Sequence, residues 1–424
     1  MRSASLVSLF TGAGGLDIGL ELAGFETVAA NDFDADCVKT LLTNQAARIP
    51  VPGGGNRRFL ERARVLGSPV EDLTAADLRP AGVAGRWSPD LLAGGPPCQP
   101  FSSSGKMLSL SDPRGRLFEH FVRLAADLQP RVILFENVRG LVTARGPQGT
   151  PGEALDLVKR AFEAIGYATS FALLNSADYG APQRRVRLFM LARKTGQLPS
   201  FPEPTHAETS DHGLFEDRLL PWVTLGGFLA GRDEPHPSDL VRPSARLALQ
   251  LRDVPSGSGL RSPGSREATR PGGHWGYKQG TFIADPKRPA RTVTAAATQD
   301  WVRGADGSLR RLTWKECAAL QGFPDAWEFT GNTASRHRQI GNAVPVVFGR
   351  VLGASILEAS SSRDRKPTES APLPPSFVGA IRYTAREHAR NGESRRQTGI
   401  LIAAGADPRL VKGTGSEDRR KRQA

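Results

Sequence analysis

Short apolar runs alternate with amphipathic segments through the first 195 residues, and this alternation restricts the fold more than any other feature. The predicted strands are SLVSLF (5–10), FETVAAND (25–32), PDLLAGG (89–95), RVILFENV (131–138) and RLFMLARK (187–194). The predicted helices are at residues 14–25, 34–45, 114–130 and 152–166. Strands that alternate with helices are typical of parallel βαβ units. We therefore predict an α/β fold with a Rossmann-like, doubly wound and mostly parallel sheet.

The alternation stops near residue 195, and the composition then divides the rest of the chain. Residues 198–287 are rich in Pro, Gly, Ser and charged residues, which is typical of either a disordered insertion or a small, irregular recognition domain. Ordered segments return at 288–359, where we expect the chain to rejoin the first domain (1–197). Residues 360–424 are polar, and we expect a mobile C-terminal extension.

Bulk composition narrows the class of protein. Of the 424 residues 39% are hydrophobic and 23% are charged, and no apolar run approaches the roughly 20 residues that span a membrane. Three cysteines and seven histidines show no disulfide framework and no metal-ligand spacing, which fits a reducing, cytoplasmic setting. The net charge of +13 favours a polyanionic partner such as nucleic acid, although solvated basic faces are the alternative.

The unusual loops all lie where a predicted strand ends, which is where open α/β sheets bind ligands. Gly12, Gly14 and Gly15 follow the first strand and allow a ligand to approach the backbone, although a turn that merely packs is the alternative. The dinucleotide pattern GxGxxG fails because Asp17 stands at its third glycine. After the second strand, Asp32 is a candidate for binding ribose hydroxyls.

Two further residues near these strand ends are candidates for cofactor binding, and each also has a purely structural interpretation. Phe33 is suited to stacking on adenine, with ordinary core packing as the alternative. Asp72 is suited to accepting from an adenine amino group, with a helix N-cap as the alternative.

The loop GGPPCQPFSSSG (94–105) places Cys98 between prolines, outside the buried setting usual for an inert cysteine. Glu136 follows the apolar run RVILF, so burial is expected to raise its pKa toward that of a proton donor. Arg185 and Arg187 alternate into a late strand and point to one face. A salt-bridged glutamate and surface arginines are the structural alternatives.

These motifs together resemble the DNA (cytosine-5-)-methyltransferase family of the bacterial restriction–modification type, over about residues 1–358. The similar segments, in the order of the family, are FTGAGGLD (10–17), GGPPCQPFSSSGK (94–106), DPRGRLF (112–118), ENVRG (136–140), DYGAPQRRVRLF (178–189), RLTWKECAALQGFPD (311–325) and RQIGNAVP (338–345). The resemblance implies an S-adenosylmethionine-binding catalytic domain at 1–197, a target-recognition domain at 198–287 and a return to the catalytic domain at 288–359.

The resemblance also implies a mechanism and its residues. Cys98 adds to C6 of a flipped-out cytosine, Glu136 hydrogen-bonds or protonates N3, and Arg185 and Arg187 hold the base. The implied S-adenosylmethionine contacts are Phe10, Gly12, Ala13, Gly14, Gly15, Asp32, Phe33, Asp72, Leu73, Leu117 and Asn342. Asp32 stands where the family more usually has Glu. The implied contacts to double-stranded DNA are Gln99 and Ser102, beside Ser103 and Ser104, and we add Lys278 and Gln279 as candidates for base readout.

We expect a monomer with no membrane contact and no bound metal, and the resemblance allows for a cognate restriction endonuclease. An RNA-directed relative is the first alternative; it is disfavoured because the chain lacks the Cys-Phe-Thr tripeptide of the tRNA-directed branch. The two-cysteine RNA enzymes are disfavoured because Cys37 and Cys317 fall in predicted helices. A noncatalytic DNA-binding relic is disfavoured because Cys98, Glu136, Arg185 and Asn342 are intact. A cofactor-dependent oxidoreductase is disfavoured because the GxGxxG pattern fails.

Overall fold

The computed structural model describes residues 3–80, 82–83, 85, 87–97, 116–208, 219–261, 263–264, 281–304, 306–360, 366 and 368–386. A seven-stranded sheet with the order β3-β2-β1-β4-β5-β7-β6 is its main element. The strands are β1 (Ala4–Leu9), β2 (Phe25–Asn31), β3 (Arg64–Leu66), β4 (Leu91–Gly94), β5 (Val132–Val138), β6 (Ala168–Asn175) and β7 (Val186–Arg193). Only β7 runs against its neighbours. The predicted α/β fold with a mostly parallel sheet is confirmed.

Nine labelled helices accompany the sheets in the described residues. They are α1 (Gly15–Ala23), α2 (Ala35–Ala46), α3 (Arg116–Leu128), α4 (Glu153–Ala164), α5 (Leu225–Ala230), α6 (Ala245–Leu251), α7 (Trp314–Leu320), α8 (Thr333–Asn342) and α9 (Val346–Ser360). Local chemistry sets their starts. Asp34 accepts from the backbone N–H groups of Asp36 and Cys37, and Thr313 forms a capping box with Glu316.

Two strands of the large sheet, β3 and β6, are absent from the prediction. β3 has three residues, too few for a periodic pattern. β6 lies at the sheet edge and carries Ala, Thr and Ser among its apolar residues. Because β6 lies beyond β7, the last two strands form an antiparallel pair, which a pattern of alternating elements does not predict.

A smaller sheet, with the order β10-β11-β12-β13, has its own apolar core. Its strands are β10 (Ser258–Gly259), β11 (Phe282–Ile283), β12 (Trp301–Arg303) and β13 (Leu309–Arg311), and a separate pair joins β8 (His206–Ala207) to β9 (Leu220–Pro221). Two strands of the smaller sheet precede residue 287 and two follow it. The sheet therefore does not mark the predicted domain boundary at residue 287, and that boundary stays a prediction. The second, smaller unit of the predicted fold is present.

Helices α1 and α9 touch through their glycines. A Cβ atom on Gly19 would lie 2.1 Å from the carbonyl oxygen of Val346, and one on Gly349 would lie 2.3 Å from that of Leu16. Only glycine permits so close an approach of two backbones. By length and composition alone the stretch Thr333–Ser360 would qualify as a membrane span, but 56% of its apolar window is buried inside the protein, as in a core helix.

Residues 368–386 pack on the rest of the protein, although they belong to the segment for which we expected a mobile extension. Ala371 N donates to the carbonyl oxygen of Thr169 on the edge strand β6, and Ser370 Oγ accepts from Thr169 N. The chain then forms a helix at 375–386, where Phe377 is 1% exposed and lies within the main core. An apolar stretch within the extension thus packs on the main core, next to the edge strand β6. Residues 387–424 lie outside the described part.

Candidate active site

Glu136 and Arg187 form an ion pair on neighbouring strands. Glu136 of β5 pairs in register with Phe189 of β7, and Arg187 pairs with Val138, so both charged side chains lie on one face. The Arg187 Nε is 3.0 Å from Glu136 Oε1. Burial raises the pKa of Glu136 above its usual value, although Arg187 and Arg185 oppose this shift. A carboxyl group with a raised pKa beside a cation can either donate a proton or accept a hydrogen bond.

The segment that leads to Cys98 is attached to β5 at two points. A Cβ atom on Gly95 would lie 2.6 Å from Glu136 Oε2, so the backbone at 95 lies directly against the carboxylate. Asn137 Nδ2 donates to the carbonyl oxygen of Pro96 over 3.1 Å. Asn137 is missing from the sequence prediction, although its place beside Glu136 in ENVRG was available as a signal. β5 therefore positions the start of the cysteine loop.

Arg185 is placed differently from Arg187. It is 1% exposed, and its guanidinium donates to the carbonyl oxygens of Val293 (2.8 Å) and Gly341 (2.7 Å). Burial and the neighbouring Arg187 lower its pKa well below the usual arginine value. These contacts join three distant parts of the chain, so Arg185 has a positioning part in the described structure.

Several predicted site residues lie outside the described residues. They are Cys98, Gln99, Ser102, Ser103, Ser104, Lys278 and Gln279. The two other cysteines, Cys37 and Cys317, are free and buried, on α2 and α7 as predicted. Burial raises the pKa of both thiols, which keeps them protonated and unreactive.

The glycine loop after β1 has an unusual backbone. Phe10, Gly12 and Gly14 have φ values of 56°, 59° and 91°, in the left-handed region. For Phe10 this conformation is strained, and such strain concentrates at functional sites. The loop is held from β2, because Gly12 N donates to Asp32 Oδ2 over 2.8 Å and Asp34 N donates to Asp32 Oδ1 over 2.9 Å. Burial raises the pKa of Asp32.

The three glycines of this loop have different surroundings. A Cβ atom on Gly12 would meet no described atom within 4 Å, so this face of the loop is open. One on Gly14 would lie 3.3 Å from the Trp327 indole, and one on Gly15 would lie 2.3 Å from the carbonyl oxygen of Val344. Packing therefore requires glycine at position 15, and the left-handed φ of 91° favours glycine at position 14. No described atom occupies the space beside Gly12.

The remaining predicted cofactor residues differ in their exposure. Phe33 is 69% exposed, which excludes the core-packing alternative. Asp72 is exposed on a turn where the described chain has no helix, which excludes the N-cap alternative. Leu73 and Ala13 are buried in apolar cores, Leu117 packs against the main core, and Asn342 is exposed at the end of α8.

Asn31 is a further residue that the sequence prediction missed. Its side chain is 2% exposed, and Nδ2 donates to the carbonyl oxygens of Leu66 (3.2 Å) and Ser68 (2.8 Å). These bonds join the end of β2, which carries Asp32, to the loop after β3, which carries Asp72. A polar residue as the last position of an apolar strand was the available signal.

Comparison with known proteins decides the family. A model of the C-5 cytosine-specific DNA methylase family matches residues 4–358. The chain belongs to the C-5 cytosine-specific DNA methylase family. The resemblance inferred from the sequence is thereby confirmed, and the protein is a DNA (cytosine-5-)-methyltransferase.

The match between this methylase and its curated relatives covers nearly the full length of each relative. It is 30% identical over 393 residues to Type II methyltransferase M.SacI of Streptomyces achromogenes, covering 86% of this chain and 95% of the relative. It is 29% identical over 371 residues to Type II methyltransferase M.FnuDI of Fusobacterium nucleatum, covering 85% and 96%.

A solved structure shows the same fold. The S. pombe Dnmt2 methyltransferase matches with a TM-score of 0.56 at 18% identity, over 85% of this chain and 100% of that one. At this level of identity the match describes the fold alone. In this methylase the carboxyl edge of the sheet thus carries two groups of residues, the ion pair on β5 and β7 and the open glycine loop with Asp32 and Phe33.

Proposed function

We propose that this methylase transfers a methyl group from S-adenosylmethionine to C5 of a cytosine in a specific short sequence of duplex DNA, through a covalent bond between Cys98 and C6. The observation that carries the proposal is the buried Glu136, held by Arg187 and lying against Gly95, three residues before Cys98. A buried glutamate that can donate a proton, next to the loop that carries the one cysteine of the sequence outside α2 and α7, supports this proposal.

The residues after β1 and β2 fit a nucleoside-containing cofactor. The open face at Gly12 admits close approach of a ligand, the Asp32 carboxylate suits a ribose diol, and the exposed Phe33 suits stacking on adenine. The other residues that would hold it are Phe10, Ala13, Gly14, Gly15, Asp72, Leu73, Leu117 and Asn342. When bound, S-adenosylmethionine supplies an electrophilic methyl group on its sulfonium.

The protein's task is to make C5 of cytosine nucleophilic. The thiolate of Cys98 bonds to C6, and the displaced electron pair moves toward N3, where Glu136 gives its proton. C5 then takes the methyl group. The C5 proton passes to solvent, the thiolate leaves from C6, and N3 returns its proton to Glu136, so that the product is neutral 5-methylcytosine. The raised pKa of Glu136 supports the role of acid, and Arg187 stabilises the carboxylate that remains.

The target base lies inside a duplex, so the reaction requires that it be flipped out. Gln99 and Ser102 follow Cys98 in the chain and would contact the displaced nucleotide. The smaller sheet and the residues around it would read the sequence, with Lys278 and Gln279 as candidates for base contacts. The net charge of +13 supports binding to the phosphate backbone.

The names of the relatives and the chemistry of the site support a proposal for partner, oligomeric state and location. Relatives named Type II methyltransferases support a place in a restriction–modification system, with a cognate endonuclease as a partner. We propose that the enzyme acts as a monomer, since one chain supplies both groups of site residues. A cytoplasmic location would keep the Cys98 thiol reduced and give it access to DNA.

Expression in a host that lacks cytosine methylation tests the proposal. Bisulfite sequencing of that host's genome should show unconverted cytosines at one short motif, and Cys98→Ser should abolish them. Complete conversion in cells that contain folded protein would refute the activity.

A trapping experiment tests the covalent step separately. Duplex DNA with 5-fluorocytosine at the identified motif should form a stable complex with the parent enzyme and S-adenosylmethionine. Cys37→Ala is the matched control, because Cys37 is buried with a raised pKa and should leave the complex intact. A complex formed by Cys98→Ser would show that another group is the nucleophile.

A further inference from the structure

Gln183 and Gln321 form a buried amide pair between the start of β7 and the end of α7. They are 0% and 1% exposed, and Gln183 Nε2 donates to Gln321 Oε1 over 2.7 Å. Neither side chain takes part in the reaction steps above. Buried amides are kept only where their hydrogen bonds are made, and here the partners lie more than 100 residues apart in sequence.

Gln183 connects the segment that leads into β7 with the backbone at Val293 and Leu320. Its Oε1 accepts from Val293 N (3.1 Å), and its Nε2 also donates to the carbonyl oxygen of Leu320 (3.1 Å). It lies four residues before Arg187, which holds Glu136. Movement of Gln183 would therefore be passed along the start of β7 to the ion pair.

Gln321 reaches the support of the cofactor loop. Its Nε2 donates to the carbonyl oxygens of Ile340 (2.7 Å) and Ala343 (3.3 Å) at the end of α8. Ala343 and Val344 in turn pack directly on Gly15, where a Cβ atom would lie 2.3 Å from the Val344 carbonyl oxygen. The amide pair thus connects the backbone under the glycine loop with the backbone that leads to Arg187.

We infer that Gln183 and Gln321 are positioning residues for methyl transfer, and that their amide–amide bond fixes the glycine loop at 12–15 relative to the Glu136–Arg187 pair. The inference rests on the proposed function, in which that loop holds the methyl donor and the pair activates the base. Misplacement of reacting groups by about 1 Å costs on the order of 100-fold in rate. Loss of the amide bond should therefore slow the chemical step while both ligands still bind.

The test compares the parent enzyme with Gln183→Met, Gln321→Met and the double variant. For each, single-turnover methyl transfer is measured at saturating S-adenosylmethionine and saturating duplex DNA carrying the identified motif, together with the Kd of each ligand and the thermal midpoint. Gln339→Met is the matched control, because Gln339 is 2% exposed and its Oε1 accepts a hydrogen bond from the distant Thr40 Oγ1 over 2.7 Å. None of its described side-chain hydrogen bonds goes to β7 or α7.

Each single variant should lose about 10- to 100-fold in single-turnover rate, with both Kd values within about 3-fold of the parent. The double variant should be no slower than the slower single variant, since both remove one shared bond. If a Met variant does not fold, Gln183→Asn and Gln321→Asn, which keep the amide one methylene shorter, should still lose about 10-fold.

Three results would overturn the inference: a rate loss no larger than that of Gln339→Met, a loss confined to one Kd, or additive losses in the double variant. An inactive parent enzyme would refute the proposed function and this inference with it, whereas an active parent with unaffected variants refutes only the inference.

Discussion

Replacement of Gly95 by alanine should separate activity from stability in this enzyme. The added Cβ atom would lie 2.6 Å from Glu136 Oε2, and ordinary van der Waals contact begins at 3.4 Å, so the carboxylate must retreat by about 0.8 Å. Gly95 has no left-handed φ, so alanine itself is not strained there. This shift of the carboxylate disturbs the 3.0 Å contact between Glu136 Oε1 and Arg187 Nε and changes the position from which Glu136 would donate its proton.

The expected effects differ in size. A displacement of this order at a proton donor should cost about 10- to 100-fold in the rate of methyl transfer. The free energy of unfolding should change by only about 1–2 kcal/mol, because the atom that moves is the end of a flexible side chain and alanine lowers the entropy of the unfolded chain. Single-turnover kinetics and urea unfolding of the same preparation measure the two effects.

Gly146→Ala is the matched control. Its added Cβ atom would lie 2.6 Å from the Cγ of Glu153, a glutamate at the start of α4 that belongs to neither group of site residues. The control should show a similar change in unfolding free energy and a rate within about 2-fold of the parent. A parental rate in Gly95→Ala would refute the reasoning, as would a rate loss shared equally by the control.

Further predictions concern protonation and the sheet edge. Glu136→Gln should lower the rate of methyl transfer by about 100-fold or more. Burial raises the pKa of Glu136 above its usual 4.5, so the rate of the parent enzyme should fall as pH rises through that raised pKa. A pH–rate profile of the variant should lack this fall. Burial raises the pKa of Asp17 from 3.8 to about 6, so its proton stabilises the fold below pH 3.8 and that stabilisation is lost as pH rises to about 6. From pH 5 to pH 8 the unfolding free energy of the parent should fall by about 1–2 kcal/mol more than that of Asp17→Asn, which has no titrating group at this position. Urea titrations at the two pH values measure this difference, and equal losses in the two proteins would contradict it. Phe377→Ala should cost about 3–5 kcal/mol in the same assay, against about 0.5 kcal/mol or less for the exposed Tyr383→Ala, and similar values would show that the C-terminal segment is not part of the core.

The sequence was sufficient for whatever depends on local pattern. Apolar runs located β1, β2, β4, β5 and β7. The residues that follow β1 and β2, and the end of β5, bring Gly12, Asp32 and Glu136 to one edge of the sheet. The exposure of Phe33 agrees with a place in a loop rather than the core. These features follow from residue type and strand period, which are visible in a single chain.

The rest depends on contacts between distant segments. The roles of Gly14 and Gly15 in packing are set by Trp327 and Val344, about 300 residues away in sequence, and no local pattern predicts them. Arg185 looked like Arg187 because both alternate into one strand, but its guanidinium meets backbone carbonyls from residues 293 and 341. The burial of Phe377 depends on its packing in the main core, far from residue 377 in sequence, and no local pattern predicts it.

The contact between Gly15 and Val344 has a consequence for synthesis on the ribosome. The glycine loop is translated about 330 codons before the backbone on which it rests. In a nascent chain the loop should therefore lack its support until α8 and Val344 have left the exit tunnel, so that a ligand which needs the folded loop cannot be held before then.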